Sequence, residues 1–146
     1  MDQNQIYRKL ILKHYKKPQN EGYIEDKRYL ISSKSNISCG DSIAIQVYID
    51  NYSIIDIKFT ANGCSLLIAS ASLMTTIIKK QKLMKSLEQI NLFLKTLETK
   101  DYINPDLNTE LKVFELIKNF PSKINCVAMP WQTLLQLLND INTFQN

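Results

Sequence analysis

Three cysteines, Cys39, Cys64 and Cys126, are all that the chain has, and a carboxylate, Asp41, stands two residues beyond the first of them. Thiolate and carboxylate are both zinc donors, and protein zinc sites are usually tetrahedral. The four residues therefore make a candidate S3O metal site that can also carry sulfur chemistry. Gly40, between two of the candidate ligands, lets the backbone turn tightly enough for both to point inward. Cys64 and Cys126 each stand where a helix is expected to begin, and a helix start offers free backbone N–H groups and a favourable dipole to an anion. Cys-x-Asp with two distant cysteines is less specific than paired Cys-x-x-Cys knuckles. On the plainer reading, Cys64 and Cys126 are small buried hydrophobes and Cys39 is a loop thiol; that reading leaves Asp41 without a role.

The elements that must position these residues can be read from periodicity. Gln5 to Lys17 carries Ile6, Leu10, Ile11 and Tyr15 at helical spacing and ends at Pro18, followed by turn residues to Gly22. A first strand is expected to begin at Tyr29-Leu30-Ile31. Ile43, Ile45, Val47 and Ile49 fall on one face of an alternating run, Asp50-Asn51 turns the chain, and Ile55, Ile57 and Phe59 alternate again, which predicts a β-hairpin with one buried face. Asn62-Gly63 allows a sharp turn into a helix over Ser65 to Lys80, whose small residues Ala69, Ser70, Ala71 and Ser72 suit close packing on a sheet. Helices follow over Leu83 to Leu97 and Leu107 to Ile117. A last one runs from Val127 to Leu138 with Pro130 in its first turn, where proline is tolerated. One helix, then strands, then several helices predicts an α+β fold: an N-terminal helix and a small antiparallel sheet of about three strands packed against C-terminal helices, as a single domain over residues 1–146.

Composition narrows the class. Hydrophobic residues at 45% and charged ones at 22% are those of a globular protein, and the apolar runs are too short to span a bilayer. Met1-Asp2-Gln3-Asn4-Gln5 offers no secretory signal, so the chain is expected in the cytoplasm, where thiols stay reduced; an odd cysteine count cannot pair fully within one chain in any case. The net charge of +4 comes mainly from scattered lysines, and Arg8 and Arg28 are the only arginines, a poor match to a nucleic-acid footprint. The lone His14, among lysines of the first helix, reads as surface or partner-facing rather than as a ligand.

Several separated stretches resemble one family. They are His14-Tyr15-Lys16-Lys17-Pro18-Gln19-Asn20-Glu21-Gly22, Asn36-Ile37-Ser38-Cys39-Gly40-Asp41, Phe59-Thr60-Ala61-Asn62-Gly63-Cys64-Ser65, Ala69-Ser70-Ala71-Ser72, and Phe120-Pro121-Ser122-Lys123-Ile124-Asn125-Cys126 with Trp131 following. In this order they resemble the IscU/NifU N-terminal scaffold proteins of iron–sulfur cluster assembly. The long helical stretch between Cys64 and Cys126 resembles the SufU type in particular.

The resemblance implies a zinc site formed by Cys39, Asp41, Cys64 and Cys126. IscU proteins carry a histidine directly before the last cysteine, where this chain has Asn125, so Asp41 is the implied fourth ligand. It implies a sulfurtransferase-like acceptor of persulfide from a SufS-like cysteine desulfurase, with Cys39 as the acceptor, Cys126 as the alternative acceptor and Lys123 as an electrostatic support for the thiolate, or else an exposed lysine before a helix. Apo-proteins or a scaffold would be the recipients. A second reading has Cys39, Cys64 and Cys126 holding a [2Fe–2S] cluster for transfer; a third is a purely structural zinc module. The chain departs from the SufU pattern at Lys123 and Asn125, which stand for Arg and Lys, at Ile37, which replaces a proline, and at Pro130 before Trp131. Lysine keeps the charge of arginine but loses its planar fork.

Overall fold

The computed structural model describes residues 1–36, 40–99 and 104–145. Helix α1 spans Gln3–Lys16 and opens on a capping box: the Gln5 amide donates to Asp2 Oδ1 at 2.9 Å and the Asp2 amide donates to Gln5 Oε1 at 3.0 Å. Lys13 and Lys16 in its last turn complement the dipole. Strands β1 (Tyr29–Asn36), β2 (Asp41–Asp50) and β3 (Ser53–Asn62) form an antiparallel sheet in the order β1-β2-β3. Helices α2 (Ser65–Ile78) and α3 (Leu83–Glu98), a 3₁₀ segment (Thr109–Ile117) and helix α4 (Pro121–Gln145) complete the predicted α+β arrangement.

The hairpin differs from the sequence expectation in two linked ways. Its central residues are Asn51 and Tyr52, both at positive φ, 50° and 60°, as a two-residue type I′ connection requires. The β2–β3 register then shifts: Tyr48 pairs with Asp56 but Ile49 pairs with Ile54, leaving Ile55 as an extra residue. The bulge reverses the side-chain alternation, so Ile54 is buried with Ile57 and Phe59 while Ile55, expected on the buried face, is exposed.

Helix α2 packs along β3 and α4 crosses β1 and β2, and together they bury Ile43, Ile45 and Val47 of β2. Ala69, Ser70, Ala71 and Ser72 are all buried, as expected of a helix drawn close to its neighbours. Trp131 of α4 is fully buried against Phe93 of α3, ring centroids 4.7 Å apart. The Leu107–Ile117 stretch, expected as an α-helix, is 3₁₀ over Thr109–Ile117. Leu111, Phe114 and Ile117 recur every three residues, the period that lines up side chains at three residues per turn.

Two further expectations change. Helix α4 begins at Pro121, which takes the first helical position that proline tolerates, so Pro130 lies inside the helix and Cys126 in its second turn. Pro130 has no N–H, which leaves the Cys126 carbonyl without its i+4 donor. His14, expected as a surface or partner-facing group, is half-buried, and its Nδ1 lies 2.8 Å from Ser72 Oγ, which accepts from the Gln19 amide. Burial lowers its pKa. His14 ties α1 and the following turn to α2. No helix among the described residues is long and apolar enough to cross a membrane.

Candidate metal centre

Three of the four sequence-predicted ligands come together from three different elements. Asp41 is the first residue of β2, Cys64 is the N-cap of α2 and Cys126 projects from α4; their ligand atoms all lie within 4.8 Å of one another. Cys39 falls outside the described residues.

Each position has a local cause. Gly40, at a φ of 72°, turns the chain so that its amide donates to the Asn36 carbonyl at 3.0 Å, and β2 starts at once with Asp41. Asp41 is buried, only 7% exposed. It points across the end of β3 to Gly63, where a Cβ would collide with the Asp41 carboxylate and with Leu67. The missing side chain at Gly63 makes room for the carboxylate, and its φ of 153° suits glycine. Sequence reasoning recognised Gly63 as a turn residue but not as the floor under Asp41; the only signal was its place directly before Cys64.

Cys64 has extended backbone angles and makes no side-chain cap hydrogen bond; the residue is exposed at the start of α2, and its thiol faces Cys126 and Asp41. Cys126 is different. Its Sγ donates to Asp41 Oδ2 at 3.4 Å, and its helix is fastened to α2 one residue further on, where Ser70 Oγ donates to the Val127 carbonyl at 2.6 Å and accepts from Trp131 Nε1 at 3.1 Å. Nothing in the residue spacing signalled this Ser70–Trp131 clamp beyond the small-residue run that contains Ser70. Burial first, then hydrogen bonding and charge repulsion from Cys64 and Asp41, push the Cys126 thiol up to about 12. Lys123 has its Nζ over the Phe120 ring, 4.7 Å from the centroid, and no hydrogen bond joins it to a thiol among the described residues.

The donor set suits a divalent cation. Three groups that are each anionic when deprotonated crowd one point, and that crowding adds to burial in holding the Cys126 thiol pKa up. A zinc ion would relieve it, since two thiolates and a carboxylate are ordinary zinc donors.

Residues 6–127 match the NifU-like N terminal domain family. The zinc-dependent sulfurtransferase SufU of Bacillus subtilis (strain 168) is 31% identical over 129 residues, which is 88% of this chain and 86% of that protein. The iron–sulfur cluster assembly scaffold protein IscU of Thermotoga maritima is 28% identical over 137 residues, 94% of this chain and 95% of that one. Among solved structures, a candidate iron–sulfur cluster assembly scaffold protein for the SUF system from Fervidobacterium islandicum AW-1 superposes with a TM-score of 0.82. It is 26% identical, and the match covers 94% of this chain and 99% of that one.

Proposed function

We propose that this chain, which belongs to the NifU-like N-terminal domain family, serves iron–sulfur cluster assembly as a zinc-binding acceptor of persulfide sulfur. Its donor would be a SufS-like cysteine desulfurase, its recipients apo-proteins or a scaffold, and its compartment the cytoplasm. The observation that carries this reading is the convergence of Asp41, Cys64 and Cys126 within 4.8 Å. Cys39, joined to Asp41 through Gly40, is assigned the fourth ligand position, and residues 1–146 are read as one domain.

Bound zinc supplies a counter-charge that keeps thiols deprotonated while blunting their attack. Cys64 and Cys126 anchor the site from two helices, and Asp41, as a carboxylate, is its harder and more labile donor. Cys39 is then the thiol that is released to react. Its thiolate attacks the outer sulfur of the desulfurase's Cys–S–SH; a new S–S bond forms on Cys39 as the donor's S–S bond breaks. The donor cysteine leaves as thiolate, and the transfer needs no oxidant. Cys126 is the alternative acceptor, and an electrostatic role for Lys123 would require its ammonium to leave Phe120.

Metal analysis of the isolated protein, followed by desulfurase activation and mass spectrometry of the acceptor, tests the reading. It expects bound zinc, faster desulfurase turnover and a persulfide on Cys39. Undiminished turnover with Cys39→Ala would remove Cys39 from the acceptor role. A stable visible chromophore on reconstitution with iron and sulfide would favour the cluster scaffold instead, and unfolding on zinc removal with no persulfide would favour a structural zinc module.

A further inference from the structure

We propose that the groove beside Cys64, between α1 and the starts of α2 and α4, docks an acidic, apolar-anchored segment of the sulfur-donor protein; this rests on the function proposed above. The groove has a volume of about 510 Å³ and is lined by Leu12 and Tyr15 of α1, Leu66 of α2 and Phe120 ahead of α4, with Arg8 and Lys123 also on its wall. That volume is within the range of sites that enclose a ligand or a partner's side chains.

Its apolar side chains are open to solvent: Leu12 is 47% exposed, Tyr15 41% and Phe120 50%. Single exposed hydrophobes need no explanation, but grouped ones with a charged rim mark an interaction site. Burying them against a partner would provide the anchor that slows dissociation.

Charge complementarity fixes the partner's chemistry. Helix α1 contains no acidic residue. Arg8 lies four residues before Leu12 and Lys9 three before it, while Lys16 lies four after, so all three cations flank the apolar side chain on one helix face. Among the described residues neither Arg8 nor Lys123 forms an ion pair; Lys123 rests on the Phe120 ring instead. Glu115, on the 3₁₀ segment packed against α1, acts on Tyr7 beside Arg8, but Arg8 and Lys123 remain without an ion-pair partner on the wall of the apolar slot; they favour a segment with carboxylates flanking a large apolar residue, and they would steer its approach.

Position links the groove to the chemistry. Ser65 and Leu66, both on its wall, directly follow Cys64, which is itself exposed. A segment seated there holds its parent protein against the metal centre without occupying it, so groove and thiols divide binding from transfer.

The test uses the full zinc-loaded chain with purified cysteine desulfurase from the same organism, comparing wild type with Arg8→Glu and Leu12→Asp. Desulfurase activation is titrated against acceptor concentration at low and high salt, and zinc content and circular dichroism are recorded for each variant. The expected result is an acceptor KM raised roughly ten- to a hundredfold with kcat within about twofold of wild type. Zinc content should not change, and the salt dependence should weaken in Arg8→Glu. Arg8 is exposed, so that variant stays informative should Leu12→Asp perturb folding. A KM equal to wild type in Arg8→Glu and in any folded Leu12→Asp would overturn the docking site while leaving the functional reading intact. A KM increase accompanied by zinc loss would trace the effect to the metal centre and also overturn it. A wild-type chain that neither binds nor activates the desulfurase would overturn both.

Discussion

Cys64 and Cys126 sit in one cluster, yet the chain holds them in opposite ways. Cys64 caps a helix, is exposed and makes no cap hydrogen bond. Cys126 lies in the second turn of a helix, is half-buried, and bonds to Asp41 while Ser70 fastens the next residue to α2. A donor set built this way has one side fixed by packing and another left open to solvent. That division suits a site which must both retain an ion and admit a partner, because the fixed thiol sets the geometry and the open side gives access.

The largest expected effect tests whether the fixed side depends on Gly63. Gly63→Ala puts a methyl group where the Asp41 carboxylate lies, and zinc affinity, measured by chelator competition, should fall by about 10–100-fold, as when a supporting residue of a metal site is lost. Unchanged affinity would mean that Asp41 is not a ligand. Next, an alkylating reagent applied to metal-free protein should modify Cys64 at least about tenfold faster than Cys126, because accessibility and thiolate character govern thiol reactivity. Peptide mass spectrometry reads the ratio, and equal rates would erase the contrast between the two thiols.

A third variant, Ser70→Ala, leaves Trp131 Nε1 and the Val127 carbonyl without their buried partner, and should cost about 1–3 kcal/mol in urea unfolding. A neutral result would show that the clamp does not set where Cys126 stands. The smallest effect is on pH. The Cys126 thiol titrates near 9 when unfolded and is pushed up to about 12 in the folded, metal-free chain, so its proton is held more tightly by the folded state. Its contribution is present below pH 9 and is lost as pH rises from there toward 12. Apo-protein stability followed across that window should therefore decline, and the Cys126→Ser variant should decline less.

Fold and site were legible to different degrees, for identifiable reasons. Helix α1, the hairpin and α2 follow from period and from punctuation at Pro18, Asn51 and Gly63, which act locally. The Ile55 side-chain reversal escaped because a bulge is set by how the Asn51-Tyr52 turn joins two strands, a property of the pair rather than of either strand. Cys126 reads as a helix-start residue because Phe120-Pro121 breaks the chain and Pro130 fits a first turn; the Lys123 and Ile124 amides, both donating to the Phe120 carbonyl at 3.0 Å, show that the helix begins at Pro121. His14 looked exposed because its neighbours in sequence are lysines, whereas its neighbour in space is Ser72. The convergence of Asp41, Cys64 and Cys126 has no local signature at all, since each residue is delivered by a different element.

Asp41 and Cys126 stand 85 residues apart in the chain. Bringing such distant groups together in an unfolded chain carries a loop-closure penalty of about 4–5 kcal/mol. Here folding meets that penalty before any ion arrives, so an ion that binds only the folded form acts as a reversible cross-link between the first residue of β2 and α4. Heat resistance should then rise with free zinc and fall with chelation, and the metal that tunes sulfur chemistry would also report whether the chain is folded.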